Sequence, residues 1–139
     1  MDKFLVISML AGILGVFSGC ATLSPPAQTG PETPATVVFF QPFSAALDAP
    51  ALAAIATAAS QANAAPDQPI MVTGAADTVG SKKANALLSR TRAQVVADTL
   101  EADGVAPSRI RVKGIGETTA PGTNLPGQFD RRALIQIGG

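Results

Sequence analysis

From Ser81 to Asp103 the chain runs without glycine or proline, and glycine stands on both sides, at Gly80 and Gly104. No other stretch is as long. Ser81 is of the type that caps a helix by accepting from a backbone N–H in the first turn, and Gly104 suits the left-handed turn after a helix end. The spacing therefore predicts a helix over 81–103, with Leu88, Val95 and Thr99 on one stripe. The runs on either side are short and extended in character. PIMVTG (69–74) alternates Ile70 and Val72, and RIRVKG (109–114) turns Ile110 and Val112 in with Arg109, Arg111 and Lys113 out. Charges along one face suit an exposed sheet edge, where they discourage pairing with another chain. TVVFF from Thr36, closed by Pro42, reads as a buried strand, and ALIQI after Arg131-Arg132 as a last one. Between the first two strands Asp48 caps a helix with Pro50 in its first turn, and Leu52, Ile55, Ala56 and Ala59 repeat at helical spacing until Pro66. Residues 114–129 hold Pro121, Gly122, Pro126 and Gly127 and are expected to form a long loop, a feature that points to function in so small a domain.

With 139 residues, 47 % of them hydrophobic, one modest core is the expectation. Alanine, at 26 residues, favours close helix packing. Ten basic and ten acidic residues balance, so no overall field favours nucleic acid, and a partner must be sought in a local site. There is no His, Trp or Tyr and only one Cys, which removes the usual general base and the commonest transition-metal ligand and excludes an internal disulfide. Neither a nucleophile–base pair nor a metal set is present, so an enzyme is not expected, nor a cofactor or metal.

The N-terminus carries Lys3, an apolar run over 4–17, then Ser18-Gly19 and Cys20. A membrane span needs about 20 apolar residues, and this run is shorter and broken by Ser8, Gly12 and Gly15, so residues 1–19 read as an export signal. Phe17-Ser18-Gly19-Cys20 resembles the bacterial lipobox, with Phe17 where leucine is preferred. That resemblance implies cleavage before Cys20 and a lipid anchor on it; Ala21 after the cysteine favours the outer membrane. Residues 20–35, with Pro25, Pro26, Pro31 and Pro34, read as the lipidated cysteine and an extended tether, at about 3.1 Å per residue.

The turn over 74–80 looks at first like a phosphate cradle, but its spacing rejects that: five residues separate Gly74 from Gly80, and Ser81 precedes Lys82. GIGETTAPG from Gly114 lacks the third glycine of a dinucleotide fingerprint. What the first turn does hold is an acid, Asp77, followed along the helix by Asn85 and Arg92. A fixed carboxylate and a bidentate guanidinium suit a ligand carrying an ammonium and a carboxylate on one carbon. They equally suit a structural ion pair between Asp77 and Arg92, and the bare sequence leaves both readings open. Asn85 and Arg92 share a helix face with Ser89 between them, and Arg92 lies about 16 Å along the axis from Ser81.

Gly74, Asp77, Gly80, Asn85, Leu88-Ser89, Arg92-Ala93, Gly104-Val105, Gly114-Ile115-Gly116-Glu117 and Arg131-Arg132 together resemble the OmpA-like peptidoglycan-binding domain, over roughly 36–139. The resemblance implies an α/β two-layer sandwich, β-α-β-α-β-β, with a four-stranded mixed sheet in the order 1-4-2-3 and helices on one face. It implies that Asp77 and Arg92 bind the diaminopimelate of the peptidoglycan stem peptide, with Asn85 and Arg131 as further candidates. Two departures stand out: Ala75 and Ala76 replace histidine and threonine, and Asp130 replaces an asparagine and adds a charge near Arg92 or Arg131. The expected protein is an outer-membrane lipoprotein with a periplasmic domain that holds peptidoglycan. The alternative is an interaction subunit of an envelope or secretion assembly, keeping the fold with weak or no peptidoglycan binding.

Overall fold

The structure, a computed structural model, describes residues 35–119 and 127–138. The expected signal peptide, the lipidation site at Cys20 and nearly all of the tether lie outside the described residues. Four strands and two helices follow in the order β1 (Ala35–Phe39), α1 (Ala49–Ala64), β2 (Ile70–Ala76), α2 (Lys82–Ala102), β3 (Ile110–Glu117) and β4 (Arg132–Ile137). Single 3-10 turns, Pro107–Arg109 and Gln128–Asp130, precede β3 and β4.

The local signals behave as their chemistry requires. Asp48 accepts from Ala51 N at 2.9 Å and Ser81 accepts from Ala84 N at 3.2 Å, each satisfying a helix-start donor. α2 ends in a Schellman turn: Gly104 at φ 93° sends its N–H to Glu101 O, and Val105 N–H reaches Leu100 O, both at 3.0 Å. At the end of α1, Arg109 donates to the carbonyls of Ala62, Ala65 and Gln68.

β4 lies between β1 and β2 and is antiparallel to both, while β2 pairs with β3 in parallel, so the mixed sheet runs β1-β4-β2-β3 with the helices on one side. β3 is therefore an edge, in keeping with its exposed Arg111 and Lys113, although Val112, expected to face in, is also 36 % exposed. The core under the helices is built from Val38, Phe40, Ile55, Ile70, Val72, Val96, Leu100, Ile135 and small alanines.

Two expectations about helix faces fail. α1 buries Ala51, Ile55, Ala58, Ala59 and Ala62, leaving Leu52 46 % exposed and Ala56 in solvent. In a helix this rich in alanine the apolar pattern has little phase, and Ile55 alone fixes the rotation. α2 buries Asn85, Ser89, Arg92, Ala93, Val96, Ala97 and Leu100, while Leu88, Val95 and Thr99 sit half-buried beside that face. Its inward face begins polar, so hydrophobic periodicity pointed to the flank. Two strands also run further than their apolar runs: β2 continues to Ala76, and β3 takes in Gly114 to Glu117, the start of the stretch whose glycines and prolines suggest a loop.

A pair of glycines sets how closely α2 approaches the sheet. Gly74 and Gly114 are register partners on β2 and β3. A Cβ on Gly74 would lie 1.9 Å from Ser89 O, and one on Gly114 would lie 2.6 Å from Arg90 N. The backbone of α2 thus rests directly on a notch that only glycine leaves open. Ser89, beside it, accepts from Gly116 N at 2.9 Å and locks the helix to the edge strand.

Candidate functional site

Because β2 and β3 are parallel and β4 antiparallel to them, the ends of β2 and β3 and the start of β4 lie at one end of the sheet, together with the end of β1 and the first half of α2. Asp77, Asn85, Arg92 and Arg131 all sit at that end. The long axial separation of Arg92 from its turn is closed by strand geometry. A strand rises about 3.3 Å per residue against 1.5 Å for a helix, so Gly74 lies beside Ser89–Ala93 and the next carbonyl, Ala75 O, falls within reach of Arg92.

Arg92 is fully buried. Its Nε donates to Ser44 O at 2.8 Å, Nη1 to Ala75 O at 2.9 Å and Nη2 to Gln41 O at 3.0 Å, and its guanidinium carbon lies 5.2 Å from the Phe40 ring centroid. Burial pushes its pKa below the ordinary arginine value; the Asp77 carboxylate opposes that shift and the Arg131 cation adds to it. Three neutral carbonyls therefore hold a buried cation that has no direct counter-ion among the described residues.

The ion pair of this site joins Asp77 to Arg131, not to Arg92. Arg131 Nη1 meets Asp77 Oδ2 at 3.1 Å, with the two side chains 18 % and 11 % exposed. Arg131 Nε also donates to Phe40 O at 3.3 Å, and Asp77 Oδ1 accepts from Val79 N at 3.2 Å. Arg132, the second of the double arginine, turns instead to Phe129 O.

Asn85 Nδ2 donates to Glu117 Oε2 at 3.3 Å, so it ties the start of α2 to the end of β3. Asp130 pairs with no arginine: its Oδ2 accepts from Gly127 N at 3.1 Å, and its buried Oδ1 has no hydrogen-bond partner among the described residues. Glu117, and the carbonyls of Gln41 and Ser44 that receive Arg92, belong to this end of the fold without having been singled out as site residues. Only the Gly-x-Gly-Glu spacing marked Glu117; the two carbonyls leave no mark on a sequence. Among the described residues no helix is long and apolar enough to cross a membrane.

A two-layer α/β sandwich of this strand order, with an acid closing β2 and an arginine at the middle of α2, defines the class of OmpA-like domains. The chain belongs to the OmpA family, whose match spans residues 39–131. It is 39 % identical over 67 residues to outer membrane protein A of Serratia marcescens, a match covering 48 % of this chain and 19 % of that protein, so the chain spans about a fifth of that relative's length. Solved structures share the fold. The peptidoglycan-associated lipoprotein of Burkholderia pseudomallei superposes with a TM-score of 0.68 at 23 % identity, covering 73 % of this chain and 89 % of that one. The OmpA-like domain of FopA1 from Francisella tularensis gives 0.69 at 24 %, covering 74 % and 73 %. The C-terminal domain of Helicobacter pylori MotB gives 0.64 at 23 %, covering 74 % and 84 %.

Proposed function

We propose that this domain binds peptidoglycan non-covalently through the diaminopimelate of the stem peptide, as a binding protein rather than an enzyme. The observation that carries the reading is the Asp77–Arg131 pair set near the buried Arg92. A ligand carboxylate finds the guanidinium of Arg131 there, and a ligand ammonium finds Asp77. Arg131, partly exposed, offers its guanidinium to the carboxylate, and Arg92 supports it from below by its charge. Asn85 holds the neighbouring strand end in place through Glu117. Membership of the OmpA family and the fold shared with a peptidoglycan-associated lipoprotein support the same conclusion.

With Cys20 lipidated and residues 21–35 as tether, the domain hangs from the outer membrane and holds the wall. The test is sedimentation of the full chain, in mild detergent, with purified sacculi that contain diaminopimelate. Wild type should co-sediment and Asp77→Ala should not. Equal co-sedimentation of the two would move the interaction-subunit reading ahead. Labelling by a radioactive fatty acid that survives in Cys20→Ala would remove the anchor.

A further inference from the structure

Phe43 is disfavoured twice over. Its backbone sits at φ 55°, and among the described residues it is the only non-glycine residue with positive φ. Its side chain is 70 % exposed. The residue is third in a turn closed by Ser44 N–H on Gln41 O at 3.2 Å, with Pro42 second. Turns with proline second and positive φ third ordinarily place glycine or asparagine there, because a Cβ crowds the backbone. An exposed ring in that position gains little from the core to offset the strain.

The turn is nonetheless firmly held. Arg92 grips the carbonyls on both sides of Phe43, Gln41 O through Nη2 and Ser44 O through Nε, and the same guanidinium binds Ala75 O two residues before Asp77. One buried cation thus fixes both the turn that presents Phe43 and the strand end that presents the charged pair. Backbone strain maintained by surrounding structure is concentrated at sites that use it.

We propose that Phe43 is an apolar platform of the ligand site, packing its ring face against the C–H face of a glycan pyranose while Asp77 and Arg131 hold the stem peptide. This rests on the peptidoglycan reading above. A pyranose presents a flank of weakly positive C–H groups, which matches the negative face of an aromatic ring. The stem peptide hangs from the glycan, and a residue held two or three positions along it lies about 7–10 Å from the sugar, at about 3.3–3.6 Å per extended residue.

The test uses the full chain in mild detergent and three ligands: sacculi, a soluble disaccharide–stem peptide, and the free stem peptide. Phe43→Asn removes the ring and accepts the left-handed backbone; Phe43→Tyr keeps the ring. Phe43→Asn should melt higher than wild type, yet bind sacculi and the disaccharide peptide about three- to tenfold more weakly, with the free stem peptide bound as by wild type. Phe43→Tyr should bind all three normally. Wild-type affinity of Phe43→Asn for the disaccharide peptide overturns the proposal, and an equal loss on the free stem peptide overturns the assignment to sugar. If binding is lost in Asp77→Ala but untouched by Phe43→Asn, only this proposal falls. A wild type that binds none of the three ligands removes the peptidoglycan reading and this one with it.

Discussion

Arg131 Nη1 and Asp77 Oδ2 meet at 3.1 Å across the gap between the start of β4 and the end of β2, joining residues 54 apart in the chain. In the proposed complex the ligand's ammonium takes the place of Arg131 at Asp77, and Arg131 turns to the ligand carboxylate. Each single alanine substitution leaves one ligand charge unpaired, so Asp77→Ala and Arg131→Ala should each weaken sacculus binding about thirtyfold or more. Co-sedimentation across a concentration series checks this. Full binding by either variant would place the site elsewhere.

Arg92 should behave as a structural residue before it behaves as a ligand contact. Arg92→Ala strips a donor from each of three backbone carbonyls, those of Gln41, Ser44 and Ala75. Gln41 O keeps its bond from Ser44 N–H, and of the three only the Ala75 O bond is fully buried, so the variant should lose about 1–3 kcal/mol in urea unfolding. Arg92→Lys, a point charge without the planar fork, should recover only part of it. A loss below about 1 kcal/mol would mean that the carbonyls find water.

Gly74→Ala should be among the most damaging small substitutions in the domain. Its added Cβ would stand 1.9 Å from Ser89 O, a backbone atom that cannot swing aside. Overpacking commonly costs about 1–3 kcal/mol, and this approach is closer than real contacts allow, so a loss at or above the top of that range is expected by thermal melting. A near-native melting temperature would show that α2 can lift from the sheet.

Asp130→Asn should be tolerated. The asparagine oxygen can still accept from Gly127 N, and the change removes a buried negative charge whose Oδ1 has no partner among the described residues. Its melting temperature should equal or exceed that of wild type. Asp130→Ala, which loses the capping bond, should fall by about 0.5–2 kcal/mol. A clear drop for asparagine would mean that its amide N–H₂, set at the buried Oδ1 position, goes unpaired.

The sequence by itself determined whatever depends on residues a few positions apart. Asp48 and Ser81 cap the two helices, Gly104 closes the second, and the charges of Arg111 and Lys113 mark β3 as an edge. Its motif spacing also carried the family and, through it, the strand order. The phase of the two helices was not legible. α1 offers mostly alanine, and the buried face of α2 opens with Asn85, Ser89 and Arg92, residues that look solvent-facing until their partners are seen. Those partners are backbone carbonyls and side chains far along the chain, brought close only when the glycine notch lets α2 sit on β2 and β3. Tertiary structure therefore decided that Asp77 pairs with Arg131, that Arg92 is spent on carbonyls, and that Phe43 stands strained and exposed in the turn that Arg92 holds. Hydrogen bonds within a turn are fixed by local spacing, whereas a buried guanidinium takes whichever acceptors the packed fold leaves within its reach.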